Sequence, residues 1–236
     1  QVGAQMLTKI EGGMGLLMGG TAGVQAAHVV ILGAGTVGLS AAKVAMGMGA
    51  RVTILDSNLF RLRQIDDLFG GRIQTLASNA FNIAAATKDA DLLVGSVLIP
   101  GALTPKLVTE AMVKTMKPGS AIVDVAIDQG GCIEPTAKHG ATYHDKPTFK
   151  YPVNGGEVVC YSVGNMPGAV ARTSTFTLTN ATMPYMVDLA NKGWKKACQD
   201  DKALARGINT YDGKVYFKGV SDALGYELHC TCDILK

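Results

Sequence analysis

Residues 29–38 read Val29-Val-Ile-Leu-Gly33-Ala-Gly35-Thr-Val-Gly38. The apolar, mostly β-branched start of this stretch is typical of a buried strand, and it runs into three glycines spaced GxGxxG before a helical pattern begins. Gly33 permits a tight turn, Gly35 lets a phosphate group approach the backbone, and Gly38 lets the helix pack close to the strand. The stretch therefore predicts a strand, a turn and a helix whose free N–H groups can hold an anion.

A carboxylate further along the chain indicates which kind of ligand carries the phosphate group. Asp56 ends the next predicted strand, about 20 residues on, where an acid accepts hydrogen bonds from the ribose hydroxyls of a dinucleotide. An acid there disfavours the 2′-phosphate of NADP, so NAD is the expected cofactor. Arg61 is expected either along the adenine or as a solvated helix arginine. The competing interpretation is that the glycines form only a packing turn.

The middle of the chain alternates short β-type runs with longer helical runs, as in a doubly wound α/β fold. We predict a Rossmann-type parallel sheet, with C-terminal helices that belong to a partial second, substrate domain. The predicted strands are His28–Leu32, Arg51–Leu55, Arg72–Leu76, Asp91–Val97, Ala121–Ala126 and Glu157–Val163. The predicted helices between them are Thr36–Gly47, Phe60–Phe69, Asn82–Lys88 and Lys106–Met116.

The flanking segments divide the chain into three expected parts. Residues 1–20 are predicted to be a linker helix and turn, residues 21–170 the NAD-binding domain, and residues 171–236 the C-terminal helices of the incomplete substrate domain. The stretch His139–Gly156 is expected to be a surface loop. In the last part we predict a helix with a break at Pro184, followed by two shorter helices. These helices are expected at Thr173–Ala190, Trp194–Arg206 and Val220–Leu224.

In an open parallel sheet, ligands lie across the carboxyl ends of the strands. That rule selects three segments after the fourth, fifth and sixth strands, beginning at Val97, Val125 and Asn165. Asp128 is the most informative residue, because a carboxylate just past a buried strand and beside two glycines can reach both a nicotinamide and a polar substrate. The alternative interpretation is a turn aspartate that only caps its loop.

Composition argues against several other classes of protein. The net charge of +3 comes from scattered basic residues without an aromatic stripe, which argues against a nucleic-acid partner. The five cysteines are irregularly spaced and are expected to be reduced thiols, which favours a reducing, cytoplasmic setting. Val29–Ala50 is long and apolar, but its glycine turn fits a buried strand and helix better than a membrane span. The spacing of histidines and acids predicts no metal site, and no serine has a base at motif spacing.

Longer stretches of the chain resemble one family. From Gln1 to about Leu224 the chain resembles the alanine dehydrogenases, relatives of the NAD-binding subunits of proton-pumping transhydrogenase. Generic Rossmann dehydrogenases lack two of the matching stretches, Val123–Gly131 and Asn165–Thr175. The other matching stretches are Gln1–Ala4, Gly12–Gly20, Ile31–Gly38, Met46–Ala50, Val97–Gly101, Met116–Ser120, Leu178–Thr182 and Ala190–Trp194.

The resemblance implies a reversible, NAD-dependent oxidation of L-alanine to pyruvate and ammonium. It implies that Asp128 is the catalytic carboxylate and that Asp56 holds the ribose, with Arg61 and Ser78 beside the adenosine. It also implies a small-molecule substrate and a homo-oligomer, commonly a hexamer, while charge and sequence pattern predict no nucleic-acid or membrane partner. The other cofactor-binding residues expected are Gly33, Gly35, Thr36, Val37 and Gly38 at the pyrophosphate, Val97, Leu98, Val125, Ala126, Ile127 and again Asp128 at the nicotinamide, and Asn165 and Met166, which close it.

Part of the family pattern is not matched. In the family, a segment that would precede Gln1 supplies the arginine and lysine that bind the keto-acid carboxylate and the histidine that acts as acid and base. We therefore expect this chain to be a fragment that binds NAD(H) and turns over alanine poorly or not at all, since positioning alone can account for ~7–11 kcal/mol of a barrier. Two alternatives stay open: a non-catalytic NAD(H)-binding module or subunit, and a dehydrogenase for another amino or keto acid.

Overall fold

The computed structural model describes residues 1–97 and 103–236, which form two compact units. The first unit is Gln1–Met166 and the second is Pro167–Lys236. Among the described residues, no helix is both long enough and apolar enough to cross a bilayer. The apolar stretch Val29–Ala50 is instead a buried strand, the glycine turn and a helix.

The first unit is built on a mixed sheet that has seven strands within the described residues. The strand order is β3-β2-β1-β4-β5-β7-β6, and every neighbouring pair is parallel except β6 and β7. This confirms the predicted Rossmann-type α/β fold. The strands are β1 His28–Leu32, β2 Arg51–Asp56, β3 Gln74–Ala77, β4 Leu92–Gly95, β5 Ala121–Asp124, β6 Thr148–Val153 and β7 Gly156–Tyr161.

Strand β1 lies at the centre of this sheet and is buried along its whole length. Its side chains alternate between two apolar cores, Val29 and Ile31 on one face and Val30 and Leu32 on the other. Helices cover both faces, which explains why the strand is a continuous apolar run. The helices of this unit are α1 Val2–Met6, α2 Thr36–Gly47, α3 Leu59–Phe69, α4 Ala80–Asp89, α5 Glu110–Val113 and α6 Glu134–His139.

Two sequence predictions for this unit are wrong. The stretch His139–Gly156 is not only a surface loop, because Thr148–Val153 forms β6 and pairs antiparallel with β7. Pro152 lies in this strand, which is tolerated because β6 is at the edge of the sheet and needs no outward N–H. The helix predicted from Lys106 to Met116 is also too long, since α5 spans only Glu110–Val113.

The start of the chain packs onto the same sheet. Met6, Leu7 and Met18 are each at most 5% exposed and belong to the core that contains Val29 and Ile31. The Met14 N–H donates a hydrogen bond to the Gly119 carbonyl at 2.9 Å. Residues from Met6 to Met18 therefore contribute to the core of the first unit.

The second unit is mainly helical. It contains α7 Ala171–Asp200, α8 Lys202–Ala205, a short hairpin of β8 Thr210–Tyr211 and β9 Lys214–Val215, and α9 Lys218–Leu224. The predicted break at Pro184 is wrong: the backbone leaves helical angles at Gly193, where φ is 74° and ψ is 155°. A glycine adopts this left-handed φ without the steric cost that a Cβ atom brings.

The cysteines differ from the prediction in one place. Cys132, Cys160 and Cys198 are free and buried, as expected for reduced thiols. Cys230 and Cys232 are joined in a disulfide, so the prediction of five reduced thiols is wrong for this pair. The turn between the two residues brings their Cα atoms to 5.2 Å, within the range that a disulfide can bridge.

Candidate functional site

The glycine turn lies at the carboxyl end of β1, beside β4, where the strand order of the sheet reverses. Gly33 has a φ of 96°, and its N–H donates to the Leu55 carbonyl at 2.8 Å. A Cβ atom on Gly38 would lie 1.9 Å from the Gly33 oxygen, so only glycine allows α2 to start this close to the turn. A Cβ atom on Gly35 would meet nothing within 4 Å, so the space next to this residue is open.

Asp56 and Arg61 hold the peptide groups of Ala34 inside this turn. The Asp56 Oδ2 atom accepts a hydrogen bond from the Ala34 N–H at 2.7 Å, and its Oδ1 atom accepts one from the Asn58 N–H at 2.8 Å. The Arg61 Nε–H donates to the Ala34 carbonyl at 2.8 Å. Arg61 therefore contacts the backbone of the turn, which is neither of the two positions considered for it from the sequence.

A cleft of about 610 Å³ opens between the glycine turn and the ends of the neighbouring strands. Helix α2 points its first turn into this cleft, and no side chain caps its N-terminus at Gly35. The unpaired N–H groups and the helix dipole make this position suitable for a phosphate group. Seven residues predicted from the sequence line the cleft: Gly33, Gly35, Thr36, Val37, Asp56, Ser78 and Val97.

Sequence reasoning missed Ser96, which lies at the bottom of this cleft. Its hydroxyl donates to the carbonyls of Leu32 at 2.8 Å and Gly33 at 3.1 Å, and so it ties the end of β4 to the start of the turn. The signal that could have found it is its position, directly after β4 and before Val97. The other lining residues that were not predicted are Leu55, Ser57, Pro105 and Leu107.

A smaller cleft of about 140 Å³ continues along the same edge of the sheet. It shares Val37, Ser96 and Val97 with the larger cleft, and its far side is formed by residues that follow β5. Ile127 is 6% exposed and does not line it. Leu98, also predicted, lies outside the described residues. The lining residues that follow β5 are Val125, Ala126, Asp128 and Gln129.

Asp128 lies at the mouth of the smaller cleft in a short 3-10 helix, Val125–Gln129. Its side chain is exposed, and both carboxylate oxygens accept from the Asn165 N–H, at 3.3 Å for Oδ1 and 3.2 Å for Oδ2. Asn165 has a φ of 52°, a left-handed conformation that asparagine adopts more readily than most residues. Met166 packs beside the core of this unit. The segments after β5 and β7 are thus brought together at Asp128.

A fully buried carboxylate supports the loop that carries Asp128. Asp124 ends β5 with no exposed surface, and its Oδ2 atom accepts from the N–H groups of Cys132 at 3.1 Å and Ile133 at 3.2 Å and from the Thr136 hydroxyl. Burial, followed by the charge of Asp124, raises the pKa of the Cys132 thiol well above its usual range. Cys132 therefore stays protonated and is a structural residue of this loop.

Lys106 supports the same loop from outside. Its ammonium donates to the carbonyl oxygens of Gly130 at 2.5 Å and Gly131 at 2.7 Å. The loop is therefore fixed on both sides of the residues that follow Asp128. Over residues 1–97 and 103–236, the structure contains no group of three or more histidine, cysteine or acidic side chains that could hold a metal ion.

The fold and this edge of the sheet define a Rossmann-type α/β protein with a glycine turn at its topological switch point. A family model described as "Alanine dehydrogenase/PNT, C-terminal domain" matches residues 1–218. The chain belongs to that family.

Individual relatives agree with the family model. The chain is 58% identical over 223 residues to alanine dehydrogenase of Methanococcus maripaludis and 54% identical over 224 residues to that of Mycolicibacterium smegmatis, in each case covering 58% of the relative. These matches cover 94% and 95% of the chain, respectively. It is also 55% identical over all 236 residues to alanine dehydrogenase of Staphylococcus haemolyticus, covering 62% of it. The chain thus spans about three fifths of the length of these relatives.

Solved structures give the same result. An L-alanine dehydrogenase structure superposes with a TM-score of 0.87 at 48% identity, over 95% of this chain and 60% of that one. A transhydrogenase from Sinorhizobium meliloti superposes with a TM-score of 0.64 at 26% identity, over 86% of this chain and 53% of that one. The likeness to the first is therefore closer in both sequence and shape.

Proposed function

We propose that the cleft at the carboxyl edge of the sheet binds NAD. The residues present fit the cofactor: the open space at Gly35 and the uncapped start of α2 suit the pyrophosphate. Asp56 is half-buried at the edge of the same cleft, where its free lone pairs can accept from ribose hydroxyls. The volume of about 610 Å³ is within the usual range for a small-molecule site.

The reaction we propose is the reversible oxidation of L-alanine. L-alanine, NAD⁺ and water give pyruvate, ammonium, NADH and a proton. NAD, when bound, supplies the hydride acceptor. The closeness of the relatives named alanine dehydrogenase supports this choice, and so does the position of Asp128 in a cleft that adjoins the one lined by Asp56.

Asp128 is the residue to which we assign a catalytic role. It is exposed at the mouth of the smaller cleft, and the Asn165 N–H occupies one side of its carboxylate. The remaining lone pairs can accept hydrogen bonds from the ammonium group of alanine and hold its reacting carbon towards the cleft. Asn165 is then a positioning residue, since it fixes the carboxylate without a need to touch the substrate.

The remaining proposals concern the nicotinamide end of the site, Arg61, the assembly of the protein and the division of the chain. We propose that Val97, Val125 and Ala126, which line the smaller cleft, form the nicotinamide end of the site. Arg61 is proposed to act on the cofactor through the glycine turn, because its Nε–H donates to the Ala34 carbonyl. We also propose a homo-oligomer, possibly a hexamer, in the cytoplasm. The proposed parts of the chain are residues 1–20, 21–170 and 171–236.

The observation that carries the proposal is that one edge of one sheet holds the glycine turn, Asp56 and Asp128 along two adjoining clefts. The test measures NADH binding and alanine-dependent NADH formation in one preparation of the 236-residue chain. We expect NADH to bind and alanine turnover to be slow or absent. If NADH does not bind a folded chain, the proposed cofactor site is wrong.

Asp128→Asn separates binding from chemistry in the same experiment. The variant keeps the size of the side chain and is expected to bind NADH as the parent chain does. If the parent chain turned alanine over rapidly and Asp128→Asn did not, the role of Asp128 would be supported. The same result would contradict the separate expectation that this chain alone is a poor catalyst. Turnover that survives in Asp128→Asn would contradict the catalytic assignment.

A second candidate is a non-catalytic NAD(H)-binding subunit, which the likeness to the Sinorhizobium meliloti transhydrogenase favours. Such a subunit needs the cleft and Asp56 but has no need of a carboxylate at the position of Asp128. The two candidates differ in whether the natural polypeptide produces NADH when alanine is added. Production of NADH excludes the non-catalytic subunit.

A further inference from the structure

The second unit contains a pair of cysteines that the proposed function does not use. Cys230 and Cys232 are separated by one residue, are joined in a disulfide and are both exposed. The three other cysteines, Cys132, Cys160 and Cys198, are buried. Of all the sulfur atoms of cysteine in this chain, those of the pair are therefore the ones that a solute can reach.

Contacts other than the disulfide hold the residues around it: the His229 N–H donates to the Val215 carbonyl at 2.8 Å, and the Gln199 side-chain amide donates to the Leu235 carbonyl at 2.7 Å. A disulfide that closes a loop with one intervening residue removes little entropy from the unfolded chain, since this effect grows with loop length. The bond can therefore open and close while the surrounding backbone stays in place.

We infer that Cys230 and Cys232 form a thiol–disulfide exchange site for low-molecular-weight thiols. Exposed disulfides that do not support the fold are the labile ones, whereas structural disulfides resist reduction. This is a second chemistry of the chain, in a different unit from the dinucleotide cleft, and it does not rest on the proposed function.

The contacts of the two sulfur atoms set the direction of the exchange. The Cys230 Sγ atom accepts a hydrogen bond from the Cys232 N–H at 3.2 Å, which stabilises negative charge on this sulfur. The Asp233 Oδ1 atom lies 3.7 Å from the Cys232 Sγ atom and disfavours negative charge there. Cys230 is therefore the better leaving group and Cys232 the sulfur that is attacked.

A dithiol is the reductant in this exchange. A thiolate of the dithiol attacks the Cys232 Sγ atom, the bond between the two cysteines breaks, and Cys230 leaves as the thiolate with the electron pair. The second thiol of the dithiol then attacks its own sulfur in the mixed disulfide and releases Cys232 as a thiolate. The dithiol loses two electrons and two protons and becomes a cyclic disulfide, and the pair gains them.

Native alkylation followed by intact-mass measurement tests this assignment. The probe reductant is dithiothreitol and the alkylating agent is iodoacetamide. The folded chain is expected to take up no label without reductant and two labels, at Cys230 and Cys232, after reduction, with an unchanged circular-dichroism spectrum. The chain Cys198→Ser is the matched control and should give the same two labels.

Several outcomes overturn the inference. Labelling of both residues before reduction would show that the disulfide is not formed in solution. A pair that stays unlabelled until the chain is unfolded, or a spectrum that changes on reduction, would show that the disulfide is structural.

Two single variants test the direction of exchange. Cys232→Ser keeps the Cys230 thiol and is expected to react with iodoacetamide at neutral pH faster than Cys230→Ser, which keeps the Cys232 thiol beside Asp233. Equal rates, or the opposite order, would contradict the assignment of Cys230 as the leaving group. Because iodoacetamide reacts with thiolates, this comparison reports on the charge that each site stabilises.

Discussion

Gly38→Ala tests whether the glycine turn is packed as described. The added methyl group would lie 1.9 Å from the Gly33 carbonyl oxygen and 2.8 Å from the Ser96 hydroxyl, whereas ordinary contact begins at 3.4 Å. The nearest atom belongs to the backbone, so a side-chain rotation cannot relieve the clash, and α2 or the turn must move. Overpacking of this kind costs about 1–3 kcal/mol, and a backbone obstacle favours the upper half of that range.

The measurement is urea unfolding followed by circular dichroism. Tryptophan fluorescence is less suitable, because the single tryptophan, Trp194, lies in the second unit. Thermal unfolding gives a second measure of the same effect: for a chain of this size, a loss of about 2 kcal/mol in the free energy of unfolding lowers the thermal midpoint by roughly 4–8 °C. Gly38→Ala is expected to weaken NADH binding as well, since the start of α2 forms the phosphate end of the cleft.

Gly47→Ala is the matched control for this experiment. Gly47 is the last residue of α2, and a Cβ atom added there meets nothing within 4 Å. Its substitution is expected to leave stability unchanged or to raise it by about 0.5 kcal/mol. If Gly38→Ala were as stable as Gly47→Ala and bound NADH equally well, the proposed role of Gly38 would be refuted.

Two further substitutions address the supports of the sheet. Asp124→Val removes the buried acceptor of the Cys132 and Ile133 N–H groups and of the Thr136 hydroxyl, and it should lower the free energy of unfolding by about 3 kcal/mol or more. A loss below about 1 kcal/mol in urea unfolding would contradict this role of Asp124. Burial, followed by the charge of Arg51, lowers the pKa of His28 although the Asp89 carboxylate lies 2.9 Å from Nδ1. The unfolded chain then takes up this proton first, so stability is full above about pH 6.5 and falls as the pH drops below it. His28→Gln should flatten that slope in unfolding measurements from pH 7.5 to 5, and an unchanged slope would assign it to other groups.

The centre of the fold could be predicted from the sequence because local signals agree there. Strand β1 has the predicted bounds, since an uninterrupted β-branched run that ends in glycine is typical of one structure. The position of Asp128 beside Asn165 could also be anticipated, because both follow strands whose carboxyl ends lie at one edge. In these places position along the chain determines position in the sheet.

The rest depends on contacts that are distant in sequence. Strand β6 contains Pro152 and lies between turn residues, so its local pattern favours a loop, and only pairing with β7 makes it a strand. Asp124 was not identified as a support, because nothing in a strand of four residues shows that a carboxylate faces N–H groups eight and nine residues later. Neither position expected for Arg61, along the adenine or solvated on its helix, included its hydrogen bond to the Ala34 carbonyl, because that bond exists only in the folded chain.

The most direct test of the cofactor site is an NADH titration of the 236-residue chain and of Gly35→Ala by isothermal calorimetry. A methyl group on Gly35 meets no protein atom within 4 Å, so the variant should unfold at the same urea concentration as the parent. The same methyl group would occupy the space proposed for the pyrophosphate, and we expect binding to weaken by about tenfold or more, which corresponds to about 1.4 kcal/mol. Equal affinity of the two folded chains for NADH would contradict binding at the glycine turn.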